Sequence, residues 1–115
     1  MTRASSCARA PRRIGLIGGI GWPSTRDYYE RLNRLVGERR GGLASADLAL
    51  RSLDFAQVYA AADTPGRVEA IMRQAADDLH AAGARVLGVC SNTGHLFCGE
   101  LRASTAMRFV PVDAA

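Results

Sequence analysis

The sequence predicts an α/β fold, a four-stranded parallel sheet flanked by helices, and three observations lead there. Short apolar runs alternate along the chain with longer segments whose apolar residues recur at helical spacing. Glycine or proline marks the joins, at Gly18-Gly19, Pro23, Gly41-Gly42, Pro65 and Gly83. The order that results is βαβαβαβ, and strands separated by helices favour parallel pairing because parallel neighbours need a crossover connection.

The elements follow in order. "RIGLIGG" (Arg13 to Gly19) is a buried strand that ends in glycines. In "WPSTRDYYERLNRLVGERR", Pro23 suits the first helical position, and Tyr28/Tyr29, Leu32, Leu35 and Val36 lie at helical intervals until Gly41-Gly42 stops them. "ADLALRSLDF" (Ala46 to Phe55) is a second strand. Thr64 is the expected N-cap of the next helix, with Pro65 at its first position. Val68, Ile71/Met72, Ala75 and Leu79 form its apolar face, and Gly83 terminates it. "RVLGV" is a third strand, a helix is expected over 93–103 with Leu96, Phe97 and Leu101, and "MRFVPV" is a fourth strand.

A chain of 115 residues supports one hydrophobic core, and 48% apolar with 23% charged residues is the composition of a globular domain. No apolar run is long enough to cross a bilayer. All fifteen basic residues are arginine. Without lysine the chain cannot hold pyridoxal phosphate as a lysine Schiff base. The net charge of +4 comes from Arg3, Arg9, Arg12 and Arg13, since the remaining eleven arginines face eleven acids. Residues 1–12 are therefore read as a disordered basic arm and residues 13–115 as the folded domain. A near-neutral folded part argues against a nucleic-acid-binding role. Cys7, Cys90 and Cys98 form neither a paired disulfide pattern nor a zinc-ligand set, so no metal is expected and a reducing cytoplasm is.

In open parallel sheets, ligands collect at the carboxyl ends of the strands. Three loops meet there: "GGIGWPST", "SLDF" and "CSNTGH". The first fails the dinucleotide pattern, because Ser24 stands where the third glycine would be. It still offers backbone N–H groups at a helix N-terminus, which suit a carboxylate. Cys90 lies where a strand ends and a helix is expected to begin. There the helix dipole is expected to lower the thiol pKa, with Ser91, Asn92 and Thr93 as neighbouring donors. The alternative is a buried, inert thiol. His95 has no fixed relation to Cys90, His80 suits a helix C-terminus, and Cys98 suits helix packing. Asp54 fits a loop cap as well as the cleft. Gly21, Thr25 and Ser52 complete the binding candidates, the last from the loop that closes strand two.

Four segments in this order resemble the aspartate/glutamate racemase family: "IGLIGGIGWPST" with "YYERLN", "GGLASADLALRSLDF", "AAGARVLGVCSNTGH" and, more loosely, "MRFVPV". The resemblance implies a flavodoxin/Rossmann-like half of an amino-acid racemase that needs no cofactor. Two cysteines of that family face the Cα of a bound amino acid from opposite sides. One removes the α-proton as thiolate and the other returns a proton. Cys90 matches the first cysteine, Asn92 and Thr93 match residues that bind the substrate carboxylate, and the Gly21–Thr25 loop matches another wall. The implied substrate is an acidic amino acid.

Family members have two such domains, and the second cysteine belongs to the second domain. This chain corresponds to the N-terminal domain alone. Cys98 is no replacement, since eight residues along a helix rise about 12 Å on the same side of the substrate. The expectation is a truncated racemase half, weakly active or inactive by itself. The competing reading is a non-catalytic α/β module that pairs with another chain, either a second copy or a separate second half. Apolar surface near Val110 and Val112 would favour such pairing.

Overall fold

A computed structural model describes residues 13–90 and 105–110. The basic arm expected over 1–12, the helix expected over 93–103, and the candidates Asn92, Thr93, His95 and Cys98 lie outside the described residues.

The described chain is β1 (Ile14–Gly18), α1 (Trp22–Arg40), β2 (Leu48–Ser52), α2 (Phe55–Ala61), α3 (Arg67–Ala81), β3 (Val86–Val89) and β4 (Arg108–Val110). The four strands form one sheet in the order β2-β1-β3-β4, and every neighbouring pair is parallel. The predicted architecture is therefore the observed one. β1 is central, with Gly18 paired to Ser52 on one side and Ile17 to Val89 on the other. Among the described residues, no helix is long and apolar enough to cross a membrane.

Two local readings need correction. The second strand stops at Ser52 rather than at Phe55, and a seven-residue helix, α2, begins at Phe55. Asp54 starts it by accepting a hydrogen bond from the Ala56 amide at 3.0 Å, so the aspartate read as a cap or a cleft residue is a cap. Thr64 does not cap α3; the N-cap is Gly66, at φ +83° and ψ −9°. The Arg67 amide bonds to the Thr64 carbonyl at 3.2 Å. Pro65 and Gly66 thus occupy the two central positions of a type II turn, the conformation that proline followed by glycine favours.

Arg13, the first residue of the expected folded domain, is tied into the fold. Its Nε donates to Asp47 Oδ1 at 2.9 Å and its Nη1 donates to the Ala82 carbonyl at 2.6 Å. Its own carbonyl accepts from the Arg85 amide at 2.9 Å. The residue thereby ties β1, the approach to β2 and the end of α3 together at the amino edge of the sheet.

The two sheet faces are unequally filled. Gly15 looks toward α3, because a Cβ there would lie 2.9 Å from Ala84 Cβ and 3.2 Å from Leu79 Cβ. On that side Ile17, Met72, Ala75, Leu79, Leu87 and Val89 belong to one contiguous core, joined by Leu53, Val58 and Met107. Gly18 looks the other way, toward α1, where a Cβ would come within 2.6 Å of the Thr25 side chain. On the α1 side Leu16, Thr25 and Cys90 are buried but stand apart from that core. Leu35 and Leu50 remain 48% and 45% exposed, so this side is the thinner layer.

Candidate functional site

At the carboxyl end of β1 the chain turns through Gly19. Gly18 offers its carbonyl to the Leu53 amide at 2.8 Å, and Ile17 offers its own to the Cys90 amide at 2.9 Å. One strand end therefore holds both neighbouring loops. Gly19 sits at φ +93°, and a Cβ there would overlap the Leu53 backbone, so glycine is required on both counts. The absent side chain at Gly18 lets α1 approach the sheet. These two glycines bring "GGIG", "SLDF" and the start of "CSNTGH" to one edge.

Thr25 locks that arrangement. It is 5% exposed, and its Oγ1 accepts a hydrogen bond from the Gly19 amide at 2.9 Å. The hydroxyl oxygen is thus bonded to the turn itself, and the Gly19 N–H is engaged there rather than directed at a ligand. Gly21 is exposed and forms the N-cap of α1, with no side-chain cap and no acidic residue in the first turn. The positive end of the α1 dipole is therefore not countered by an acidic side chain of its own first turn. Ser52 is exposed at the end of β2, level with Gly18, and its carbonyl accepts from Arg51 Nη1 at 3.1 Å.

Cys90 follows the last residue of β3. Its neighbour on the same side, Gly88, faces Leu16 across the pair, so strand alternation puts Cys90 on the α1 side, beside Gly18 and the Thr25 turn. The sulfur residue is fully buried, and burial pushes its thiol up from the ordinary 9.0 to about 12. This reverses the expected direction. Burial disfavours the charged form, and at neutral pH the group is a neutral thiol.

Sequence reasoning placed Tyr28 only in a helical repeat. It lies one turn beyond Thr25 and is half-buried, between exposed Asp27 and Tyr29. Burial raises its phenol pKa first, a negative charge at Cys90 raises it further, and Arg31 acts in the opposite sense. The phenol is therefore within electrostatic reach of the Cys90 sulfur. An i, i+3 relation to Thr25 was the available signal.

The structure thus brings Gly21, Thr25, Ser52 and Cys90 to one sheet edge. Two clefts lie elsewhere: about 550 Å³ between α2 and α3, beside Gln57, Ile71 and Gln74, and about 350 Å³ at the opposite edge, beside His80, Arg85 and Met107. Neither is lined by a candidate residue.

Comparison with known proteins agrees with this fold. The family model for Asp/Glu/hydantoin racemases matches residues 17–112. A crystal structure of an Asp/Glu racemase candidate from Yersinia pestis superposes with a TM-score of 0.83 at 33% identity, over 88% of this chain and 45% of the other. An aspartate racemase homologue from Pyrococcus horikoshii gives 0.82 at 25% identity, with the same coverage of 88% and 45%. The chain spans less than half the length of these relatives. With the family model running from β1 into the residues after β4, and the same fold in a protein 33% identical, this chain belongs to the Asp/Glu/hydantoin racemase family.

Proposed function

We propose that this chain supplies one half of the cleft of a cofactor-independent amino-acid racemase, with Cys90 as the base on one face of the substrate. The observation that carries the reading is the position of Cys90. It follows β3, its amide is bonded to β1, and it stands beside the turn at the uncapped start of α1. An amino-acid carboxylate near that helix start would meet unopposed N–H dipoles, and its Cα would be presented to the sulfur. Asn92 and Thr93 are proposed to add donors from the following loop. Gly21 and Ser52 form the walls, and Thr25 acts by holding the turn.

In this mechanism the Cys90 thiolate takes the α-proton, leaving a carbanion whose charge spreads onto the carboxylate. Inversion then requires an acid on the opposite face. A thiol near 12 is a poor base at neutral pH, so the substrate ammonium and the surroundings completed by a second half must favour the thiolate. By itself this half of the cleft exchanges the α-proton slowly and does not invert it efficiently. Acidic amino acids are the proposed substrates, and the reducing cytoplasm the proposed compartment.

The test is α-proton exchange in D₂O. L- and D-aspartate and glutamate should exchange slowly with the full chain and not with Cys90→Ala, as read by NMR. Exchange no faster than with the Cys90→Ala protein would defeat the catalytic reading. A second reading is favoured by the burial of that same thiol: a non-catalytic module that pairs with a second copy or a second-half chain. Exposed Val110, at 41%, fits it, and sedimentation showing only monomer would remove the self-pairing version.

A further inference from the structure

We infer that the cleft between α2 and α3 is a binding site for a small acylated amino acid, or the end of a short peptide, that carries a free carboxylate. The inference stands apart from the racemase reading, because none of the groups it uses lies at the Cys90 edge.

Two helical stripes build the cleft. Gln57, Ala60 and Ala61 stand at i, i+3 and i+4 on α2, and Arg67, Ala70, Ile71 and Gln74 stand at i, i+3, i+4 and i+7 on α3. Each spacing keeps its residues on one face of the helix. The short connection through Pro65-Gly66 brings the two faces together. Val58, Val68 and Met72 are buried and belong to the core that joins the helices. Alanine at 60 and at 70 leaves the space above that core open, about 550 Å³, a size that suits a small molecule. A leucine at either position would fill it.

The polar groups decide the ligand. Arg67 is the charged residue of the lining, and among the described residues no carboxylate lies within ion-pair distance of it. The acids nearest to it in sequence, Asp63 and Glu69, do not line the cleft. A guanidinium in that setting takes a carboxylate through paired N–H donors. Gln74 is already oriented. Its Nε2 donates to Asp78 Oδ1 at 3.0 Å, and Asp78 Oδ2 accepts from Arg51 Nε at 3.4 Å. A carboxylate only accepts, so this bond fixes the sense of the Gln74 amide and leaves Oε1 as an acceptor at the cleft. Gln57 adds a second amide, with one end to donate and one to accept.

An N-acyl amino acid matches this set. Its carboxylate meets Arg67, its amide N–H meets Gln74 Oε1, its amide carbonyl meets Gln57, and its apolar groups cover Ala60, Ala70 and Ile71. A free amino acid fits less well, since its ammonium finds no anion in the lining. A phosphate would leave the apolar floor uncovered.

The experiment titrates the full ¹⁵N-labelled chain with acetyl-glycyl-valine, read by NMR. The probe is used once with its free carboxylate and once as the C-terminal amide. The carboxylate form should shift the Gln57 and Gln74 side-chain resonances and the Arg67 amide in a saturable way. The amide form should bind at least about fivefold more weakly, having lost the charged pair. Arg67→Gln should remove the difference between the two forms, and Arg39→Gln, in the last turn of α1, should preserve it. Ala70→Leu, at an exposed position, should abolish the shifts with both forms. Absence of shifts in the wild type, equal binding of the two forms, or shifts that persist in Ala70→Leu would overturn the inference. Cys90→Ala should bind as the wild type does, so the result is read apart from α-proton exchange.

Discussion

Thr25 shows how one side chain serves the site without facing it. The hydroxyl looked from sequence like a substrate contact, but it is buried and bonded to the Gly19 amide. Thr25→Val retains the shape and leaves that amide unsatisfied, which costs about 1–3 kcal/mol. Thr25→Ser keeps the acceptor and loses a methyl, costing about 1 kcal/mol. Urea unfolding should therefore rank wild type, Ser and Val in descending stability. Equal losses for Ser and Val would show that packing against Gly18, rather than the hydrogen bond, carries the residue. Cys90 is the companion case. Its position at a strand end was legible, yet its protonation was not, because desolvation depends on what covers a sulfur and no neighbour in sequence reports that.

Among the elements, β1 and α3 were legible because each buries a continuous face or stripe, and α1 because its apolar residues recur at helical spacing although only Thr25 is buried. α2 was not. Its seven residues follow directly on β2, and "SLDFAQVYAA" contains no glycine or proline to divide strand from helix. The Asp54 side chain is the divider, through its bond to the Ala56 amide. Asp54→Ala should destabilise the protein by about 1 kcal/mol, within the usual range for an N-cap, while Asp54→Asn retains most of the stability. Thermal melts of the two variants decide it, and an indifferent Ala variant would mean that burial of Val58 and Ala61 alone holds α2. The Thr64–Arg67 turn was misread for a different reason. Thr-Pro also opens helices, and only the glycine that follows selects the turn.

At the scale of the whole molecule the two faces differ in thickness, and the titration of Cys90 couples to stability through the thinner one. Its pKa is raised in the folded state, so unfolding exposes a thiol that ionises at lower pH. The stabilising contribution is complete below the ordinary value of 9.0 and is lost as pH rises toward about 12. The slope cannot exceed about 1.4 kcal/mol per pH unit for this one group. The urea midpoint of wild type should thus fall more steeply between those limits than that of Cys90→Ala. Parallel slopes would show that the sulfur is not buried in solution. Tyr28, raised by burial and further by charge at Cys90, adds a loss of the same sign that is smaller in Cys90→Ala, so it widens the difference in the same direction.

Sequence by itself determined the sheet, its parallel pairing, the α1 and α3 helices and the edge where "GGIG", "SLDF" and Cys90 meet, since periodicity, glycine placement and crossover rules are all local or topological. Family membership was legible in the same stretches. The tertiary structure alone decided that Arg13 staples the fold, that Thr25 is spent on the turn, and that Cys90 is buried so that its thiol is pushed up. Each of these depends on a through-space neighbour and on how much water it excludes, and neither quantity is written in the order of residues.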